Sequence, residues 1–326
     1  MSDDLIATSA TSSALVWSVP RAPFVNYTSW PTPNLETFRK ESGVDGFIVG
    51  SLGAVRGADE KIYWGTNTTL GDAATSSFGR QDFAAVAAAR GRVILSFGGA
   101  DTMPVESVES NVAQITDTYL AIIEKYDVGH VDFDLEGGFV DDDRVRSRHV
   151  AAVRAVLQAR PELQISYTLP VDGAPGLLEG FTPSGVGFLR SLADAGIRPS
   201  LVNAQAMEFG AGAPADLFDA TVVALKGAHR QLSQIWSNPD SSEVWRGMGV
   251  CPAFGLRNDG TFTLQNMRQL LAFATERNIG CLSGLDIVRD FNGGQSQAGG
   301  NMSKYTGIAQ DPFAFCKIIA EYRPTL

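Results

Sequence analysis

Short runs rich in β-branched and aromatic residues alternate with longer segments of helical periodicity, and this alternation restricts the possible folds more than any other feature of the chain. The candidate strands are residues 23–28, 46–51, 92–97, 130–136, 163–169, 201–207, 248–254 and 280–287. Helical patterns occupy residues 112–126, 143–159, 182–192, 216–232, 264–276 and 312–322. Strands separated by helices pair in parallel through right-handed crossovers. Eight such strands favour a closed (β/α)8 TIM barrel over an open sheet.

The barrel is predicted to be a single domain. A length of 326 residues and a hydrophobic content of 44% suit one large α/β domain with a buried core. Residues 1–20, rich in Ser, Thr and Ala, are predicted to form an N-terminal arm, and residues 21–326 form the catalytic barrel. An insertion over residues 54–80 carries Tyr63 and Trp64, which either stack on a sugar ring or pack the loop itself.

Charge and composition exclude several classes of partner. The net charge of −10 repels phosphate, so we expect binding to neither nucleic acid nor a membrane surface. No apolar run of about 18 residues is present, which argues against a transmembrane helix. The three cysteines form no CxxC pair and the three histidines lack metal-ligand spacing, so we expect free thiols and no zinc site. No secretory signal is recognisable, which predicts a cytoplasmic protein, or a secreted one if the sequence is a trimmed mature form.

The segment around the fourth candidate strand carries the chemistry. Its period-2 pattern sends three apolar side chains to one face and Asp132, Asp134 and Glu136 to the other. Because the apolar face suits the surrounding helices, the three carboxyl groups are predicted to face the barrel interior. Buried carboxylates that repel one another share protons and have raised pKa values. Glu136, nearest the carboxyl-end rim, is therefore the candidate proton donor, with Asp134 about 7 Å behind it to orient it.

These residues make the sequence recognisable. Asp132-x-Asp134-x-Glu136 resembles the DxxDxDxE signature of glycoside hydrolase family 18, the chitinase family. Four further segments resemble that family's motifs in the expected order between residues 23 and 322: Ser96-Phe97-Gly98-Gly99, Tyr167-Thr168-Leu169-Pro170, Asn203 to Gly210, and Arg289-Asp290. The ordered set is more specific than any one motif.

The resemblance implies a mechanism without an enzyme nucleophile. Glu136 would protonate the glycosidic oxygen, and Asp134 would orient the substrate's own N-acetyl group, whose carbonyl attacks the anomeric carbon. Asp132 would tune Asp134, and no metal or cofactor would take part. The positions implied to contact the oligosaccharide or small-molecule substrate are Ser96, Gly98, Gly99, Tyr167, Gln205, Met207, Glu208, Phe209, Leu285 and Asp286.

Several positions depart from the family pattern. Gly129 stands where the first Asp of the signature is usual, and Gln205 replaces a Met. Glu208 and Phe209 stand where Asp and Tyr are usual. Leu285 stands where a Trp usually forms the floor of the sugar subsite, so a large stacking surface is missing.

Three hypotheses fit an intact proton donor beside an altered sugar platform. The first is a chitinase-class enzyme that cleaves β-1,4-N-acetylglucosamine linkages with changed subsites. The second is a barrel repurposed for another acid-catalysed reaction, for example in small-molecule biosynthesis, and the third is a non-catalytic binder of chito-oligosaccharides. The oligomeric state is left open by the sequence.

Two further side chains have alternative roles. His130, at the start of the fourth strand, is either a hydrogen-bonded core histidine or a proton relay. Asp286 either adds a fourth acid to the pocket or accepts hydrogen bonds from loop backbone.

Overall fold

The computed structural model describes residues 15–55, 62–66, 68–69, 77–236, 240–292 and 304–325. Its strands are β1 (Phe24–Asn26), β2 (Gly46–Gly53), β3 (Tyr63–Trp64), β4 (Thr68–Thr69), β5 (Arg92–Gly98), β6 (His130–Asp134), β7 (Gln164–Ala174), β8 (Leu178–Phe181), β9 (Leu201–Ala206), β10 (Met248–Pro252), β11 (Gly255–Arg257), β12 (Gly260–Phe262) and β13 (Cys281–Leu282). Its α-helices are α1 (Leu35–Ser42), α2 (Arg80–Ala88), α3 (Val112–Tyr126), α4 (Asp143–Ala159), α5 (Pro183–Asp194), α6 (Leu217–Ile235), α7 (Ser241–Arg246), α8 (Leu264–Arg277) and α9 (Ala314–Ala320).

Eight strands form a closed parallel barrel in the order β1, β2, β5, β6, β7, β9, β10 and β13. Backbone hydrogen bonds close the ring, from the N–H of Ala22 to the carbonyl of Leu282 at 3.2 Å and from the N–H of Phe24 to the carbonyl of Gly284 at 2.9 Å. The predicted (β/α)8 barrel is therefore confirmed. Its carboxyl ends all face one side, where such barrels place their active sites.

Each of the eight predicted strand segments overlaps a barrel strand, although several bounds differ from those predicted. The helices α3 and α4 have the predicted bounds, whereas α1 and α2 were not predicted individually, because the alanine-rich α2 gives a weak apolar stripe. The last strand was predicted to reach residue 287 but ends at Leu282. A 3-10 turn, Ile287–Arg289, follows instead, and the side chain of Asp286 caps it.

The insertion after β2 packs against the barrel. β3 pairs antiparallel with β2, and β4 pairs with β3. Trp64 is fully buried and its indole N–H donates to the hydroxyl of Tyr126 at 2.8 Å, while Tyr63 is only 8% exposed. The loop-packing alternative for both aromatics is therefore confirmed. Residues 56–61, 67 and 70–76 of the insertion lie outside the described residues.

The amino end of the barrel is sealed by the described end of the predicted N-terminal arm. A buried cluster fills the barrel interior there: Trp17, Val19, Ala22, Ile48, Ile94, Leu201 and Cys281. The ring of His130 meets Trp17 edge-on at 5.4 Å and its Nε2 pairs with the hydroxyl of Ser18 at 2.8 Å. Burial lowers the pKa of His130 to about 4, and its contacts with Trp17 and Ser18 confirm the core-histidine alternative.

Helix ends and cysteines complete the fold. The carboxylate of Asp142 accepts the backbone N–H groups of Arg144 and Val145 at the start of α4. Cys251, Cys281 and Cys316 are buried and unpaired, as expected. Among the described residues, no helix is both long enough and apolar enough to span a membrane.

Candidate active site

The fourth barrel strand, β6, carries the acidic row predicted from the sequence. On its outer face, Phe133 lies between the rings of Phe97 and Tyr167, at centroid distances of 5.6 and 5.5 Å, inside the core beneath the helices. Asp132 and Asp134 alternate with Phe133 and therefore point into the barrel. The predicted division of the strand into an apolar outer face and an acidic inner face is confirmed.

The regular strand ends at Asp134, two residues earlier than predicted. The pairing nevertheless continues by one residue, because the N–H of Leu135 donates to the carbonyl of Thr168 at 3.1 Å. Glu136 keeps an extended backbone, with φ −116° and ψ 159°. Its side chain thus stays on the inner face and reaches the carboxyl-end rim, where it is half-buried.

Asp132 is held by hydroxyl groups from both neighbouring strands. Ser96 donates to Oδ2 at 2.9 Å, Ser166 donates to Oδ1 at 2.6 Å, and Thr168 donates to Oδ1 at 3.0 Å. Burial raises the pKa of Asp132 to about 6, and these hydroxyl groups limit the rise. Ser96, predicted to contact substrate, therefore supports Asp132 from beneath instead.

Asp134 sits one step closer to the rim and lacks such support. Its Oδ1 is buried without a hydrogen-bond partner among the described residues. Burial, and then the charges on Glu136 and Asp132, raise the pKa of Asp134 well above its usual range. A buried acceptor without a partner is costly, so this oxygen is available to a donor on a bound ligand.

Two glycines let the neighbouring strand approach Asp134. Gly98 and Gly99 have φ of +102° and +88°, and the N–H of Gly99 donates to the carbonyl of Asp134 at 2.8 Å. A Cβ on Gly98 would lie 2.1 Å from that carbonyl oxygen. A Cβ on Gly99 would lie 2.7 Å from the hydroxyl of Ser51. Both predicted glycines thus shape the wall beside Asp134, since only glycine suits this backbone and spacing.

Glu136 is held by one direct contact and surrounded by charges. The amide Nε2 of Gln205 donates to Oε1 of Glu136 at 3.1 Å. Burial raises the pKa of Glu136, the Gln205 contact lowers it, the charges on Glu208 and Asp101 raise it, and Arg257 lowers it. The predicted raised pKa values hold for all three carboxyl groups of the row.

The segment after β9 forms the adjoining rim. Glu208, exposed and with φ +53°, pairs with the guanidinium of Arg257 at 3.0 Å. Phe209 packs against the core and its N–H donates to Asp259 at 3.3 Å, while Met207 is half-buried. Gln205 and Glu208, predicted to contact substrate, thus act on Glu136 directly or through charge, whereas Phe209 is partly turned into the core.

The assignment of Tyr167 to the substrate site was wrong. Tyr167 is fully buried on the outer face of β7, where its hydroxyl pairs with Nε2 of His149 at 3.0 Å. The strand alternation explains the error, because Ser166 and Thr168 on either side of Tyr167 take the inner face and bind Asp132.

The end of the eighth barrel strand offers no exposed ring at the position of the expected floor. Leu285 is half-buried at the rim. Phe254, beside Gly284, is fully buried and stacked on Phe315 at 4.7 Å. Asp286 accepts the N–H of Arg289 at 3.0 Å, and burial raises the pKa of Asp286 to about 6. Asp286 is therefore a turn cap, as one of its two alternatives stated.

Sequence reasoning missed several residues of the site. Ser166 and Thr168 were identifiable in principle, because they alternate with Tyr167 inside a recognised motif. Asp101 lies in the loop after β5 and Arg257 ends β11, and no local pattern indicates that their charges act on Glu136. Among the described residues, no cluster of three or more His, Cys, Asp or Glu side chains is arranged to hold a metal ion.

The fold and the acidic row define a chitinase-like (β/α)8 barrel. No model of a protein family matches the chain. The chain is 26% identical over 325 residues to a probable bifunctional chitinase/lysozyme of Escherichia coli K12, covering 92% of this chain and 34% of the relative. It is 28% identical over 289 residues to endochitinase 11 of Metarhizium anisopliae, covering 82% of this chain and 52% of the relative. The chain thus spans about a third to a half of these relatives' lengths.

Solved structures share the fold. The catalytic domain of a hyperthermophilic chitinase from Pyrococcus furiosus superposes with a TM-score of 0.82 at 24% identity, covering 95% of this chain and 96% of that domain. A family 18 chitinase from Pseudoalteromonas aurantia gives a TM-score of 0.54 at 16% identity, covering 82% and 94%. In sequence the chain is similar to these two chitinases, and in fold it is similar to these solved chitinase structures.

Proposed function

We propose that this chain is a glycoside hydrolase that cleaves β-1,4 linkages between N-acetylglucosamine units, with Glu136 as general acid and base. One observation carries the proposal: Glu136 is half-buried at the open end of the barrel, directly beyond two buried carboxyl groups, and its pKa is raised. A carboxyl group with a raised pKa keeps its proton to a higher pH than a free glutamic acid does, and it can donate that proton to a leaving sugar oxygen. The names of the sequence relatives support the substrate class.

In the first step, Glu136 donates its proton to the glycosidic oxygen as the bond from that oxygen to the anomeric carbon breaks. The carbonyl oxygen of the substrate's own N-acetyl group forms the new bond to the anomeric carbon, which gives a cyclic oxazolinium ion. In the second step, the Glu136 carboxylate takes a proton from water as that water attacks the same carbon. The configuration is therefore retained without an enzyme nucleophile.

Asp134 is suited to hold the N-acetyl group. Its unpartnered Oδ1 can accept the N–H of the acetamido group, which places the carbonyl oxygen near the anomeric carbon. The pKa of Asp134, raised by burial, falls when a positive oxazolinium forms beside it, so ionised Asp134 stabilises that intermediate. Asp132 is the second carboxyl group behind Asp134 and is held in place by three hydroxyl groups. It can share the negative charge that develops on Asp134.

A second candidate is favoured by the missing ring at Leu285. A half-buried leucine gives a sugar less stacking surface than tryptophan does. The same acid could then serve another acid-catalysed reaction on a smaller or non-sugar substrate. A non-catalytic sugar binder is less well supported, since binding alone does not require three inward carboxyl groups with raised pKa values.

The test compares the wild-type chain with Glu136→Gln on chitotetraose, in which the leaving group is a sugar alcohol that needs a proton. We expect wild-type turnover and a loss of about 10²- to 10⁴-fold in kcat for the variant, since it cannot donate a proton. Glu124→Gln, a change at an exposed residue of α3, is the matched control. Equal rates for Glu136→Gln and wild type would disprove the assignment. Oligosaccharide binding without turnover by the wild type would favour the binder, and neither binding nor turnover would favour the repurposed barrel.

A further inference from the structure

The residue that touches Glu136 is the one that departs from the family pattern in the sixth-strand motif. Gln205 lies on β9, which is separated from β6 by β7. Its register partner in β7 is Pro170, and that of Asp134 is Thr168, so Gln205 stands two residues nearer the rim. From this position its amide reaches past β7 and donates to Oε1 of Glu136 at 3.1 Å.

We infer that Gln205 is a positioning residue for the acid: it binds Oε1 of Glu136 so that the transferable proton resides on Oε2. The role as a positioning residue rests on the proposed function, whereas the place of the proton on Glu136 can be measured in the protein without substrate.

The chemistry of the contact supports this division between the two oxygens. An amide N–H needs a lone pair on its acceptor, and the carbonyl-type oxygen of a neutral carboxyl group is a better acceptor than its hydroxyl oxygen. Oε2 has no hydrogen bond to any described residue. The proton therefore favours Oε2, and the contact restricts rotation of the carboxyl group. Both effects pre-organise the acid before substrate arrives.

A matching amide one inward position deeper strengthens the assignment. Asn203, also on β9, donates its Nδ2 to the hydroxyl of Thr168 at 3.1 Å, and Thr168 in turn donates to Asp132. Successive inward side chains of β9 thus support the first and the last carboxyl group of the acidic row, Asp132 and Glu136. A methionine at either position could not donate a hydrogen bond.

The contact also sets the strength of the acid, since a donor to the ionised form favours ionisation. The other groups acting on Glu136 are Asp134 on its own strand, Asp101 after β5, Glu208 after β9 and Arg257 at the end of β11. The first three carry negative charge that opposes ionisation, and Arg257 favours it. Unlike these four residues, which act on Glu136 through charge, Gln205 donates a hydrogen bond to the Glu136 carboxyl group.

The experiment is a pH titration of the Glu136 carboxyl carbon by ¹³C NMR in substrate-free protein, with the signal assigned from Glu136→Gln. Gln205→Met removes the donor at similar length and should raise the pKa of Glu136 by about 1, the size expected for one hydrogen bond to a charged group. Gln205→Glu keeps the shape and should raise it further through like-charge repulsion. Gln158→Met, at an exposed position of α4, should leave it unchanged.

Kinetics on chitotetraose, in which the leaving group is a sugar alcohol that needs a proton, give a second readout. Gln205→Met should lower kcat about tenfold with little change in KM, and should move the alkaline limb of the pH profile upward. A Glu136 pKa that is unchanged or lowered in both Gln205 variants, each shown to be folded by its melting transition, would overturn the inference. The NMR arm needs no turnover, so it gives a result even if the proposed function fails.

Discussion

Replacing Asp132 with Asn should stabilise the protein at neutral pH while reducing its activity. Asp132 is fully buried, and its pKa rises from its usual value of 3.8 to about 6 on folding. The folded state then binds a proton more tightly than the unfolded state does. Stability is therefore fully present below about pH 4 and is lost as pH rises through about 6.

The magnitude follows from the size of the pKa change. At about 1.4 kcal/mol per pKa unit, the rise from 3.8 to about 6 lowers the free energy of unfolding at neutral pH by about 3 kcal/mol. Asparagine has nearly the same shape and cannot ionise. Its amide must rearrange the contacts with Ser96, Ser166 and Thr168, which offsets part of the gain. We expect a net stabilisation of about 1–2 kcal/mol at pH 7.5.

The assay is urea unfolding between pH 4 and pH 8, followed by circular dichroism. The wild type should lose stability over the window around pH 4 to 6, and Asp132→Asn should show a flatter profile. Asp117→Asn, at an exposed residue of α3, controls for the change in net charge. If Asp132→Asn were less stable than wild type at pH 7.5 and kept the wild-type pH dependence, the reasoning about the buried carboxyl group would be refuted.

Two further substitutions test the role of Gly98 beside Asp134 and the position of Tyr167 outside the substrate site. Gly98→Ala should destabilise the fold by about 2–4 kcal/mol, because its φ is +102° and the new Cβ would lie 2.1 Å from the carbonyl oxygen of Asp134. An unchanged melting temperature would contradict this prediction. Tyr167→Phe should destabilise the fold by about 1 kcal/mol, because the hydrogen bond with His149 is lost, and it should leave KM for a chitobioside unchanged. A raised KM would indicate that Tyr167 contacts the substrate after all.

The barrel itself was predictable because its signal is repeated. Each strand and most helices carry their own periodicity, so an error at one boundary leaves the architecture unaffected. The acidic row of β6 was predictable for a related reason, since a period of two residues fixes which side chains share a face. Asp132, Asp134 and Glu136 follow from that rule alone.

Contacts between distant segments were not predictable in the same way. Residues 205 and 136 are 69 positions apart, and no local pattern indicates that their side chains meet. Arg257 reaches the site from a hairpin beyond β10, which is likewise a tertiary effect. Tyr167 shows the converse error, because a recognised motif was treated as a set of contacts although strand alternation sends half of its residues outward.

The central claim is that Glu136 donates a proton to the leaving oxygen. Its most direct test varies the acidity of the leaving group, because a weakly acidic leaving group depends more on that proton. The measurement is kcat/KM of wild type and Glu136→Ala on chitobiosides with a strongly acidic phenol and with a weakly acidic alcohol as leaving groups. We predict a loss of about 10²-fold or more for the alcohol and a much smaller loss for the phenol. Equal losses on both substrates would contradict the assignment of Glu136 as the proton donor.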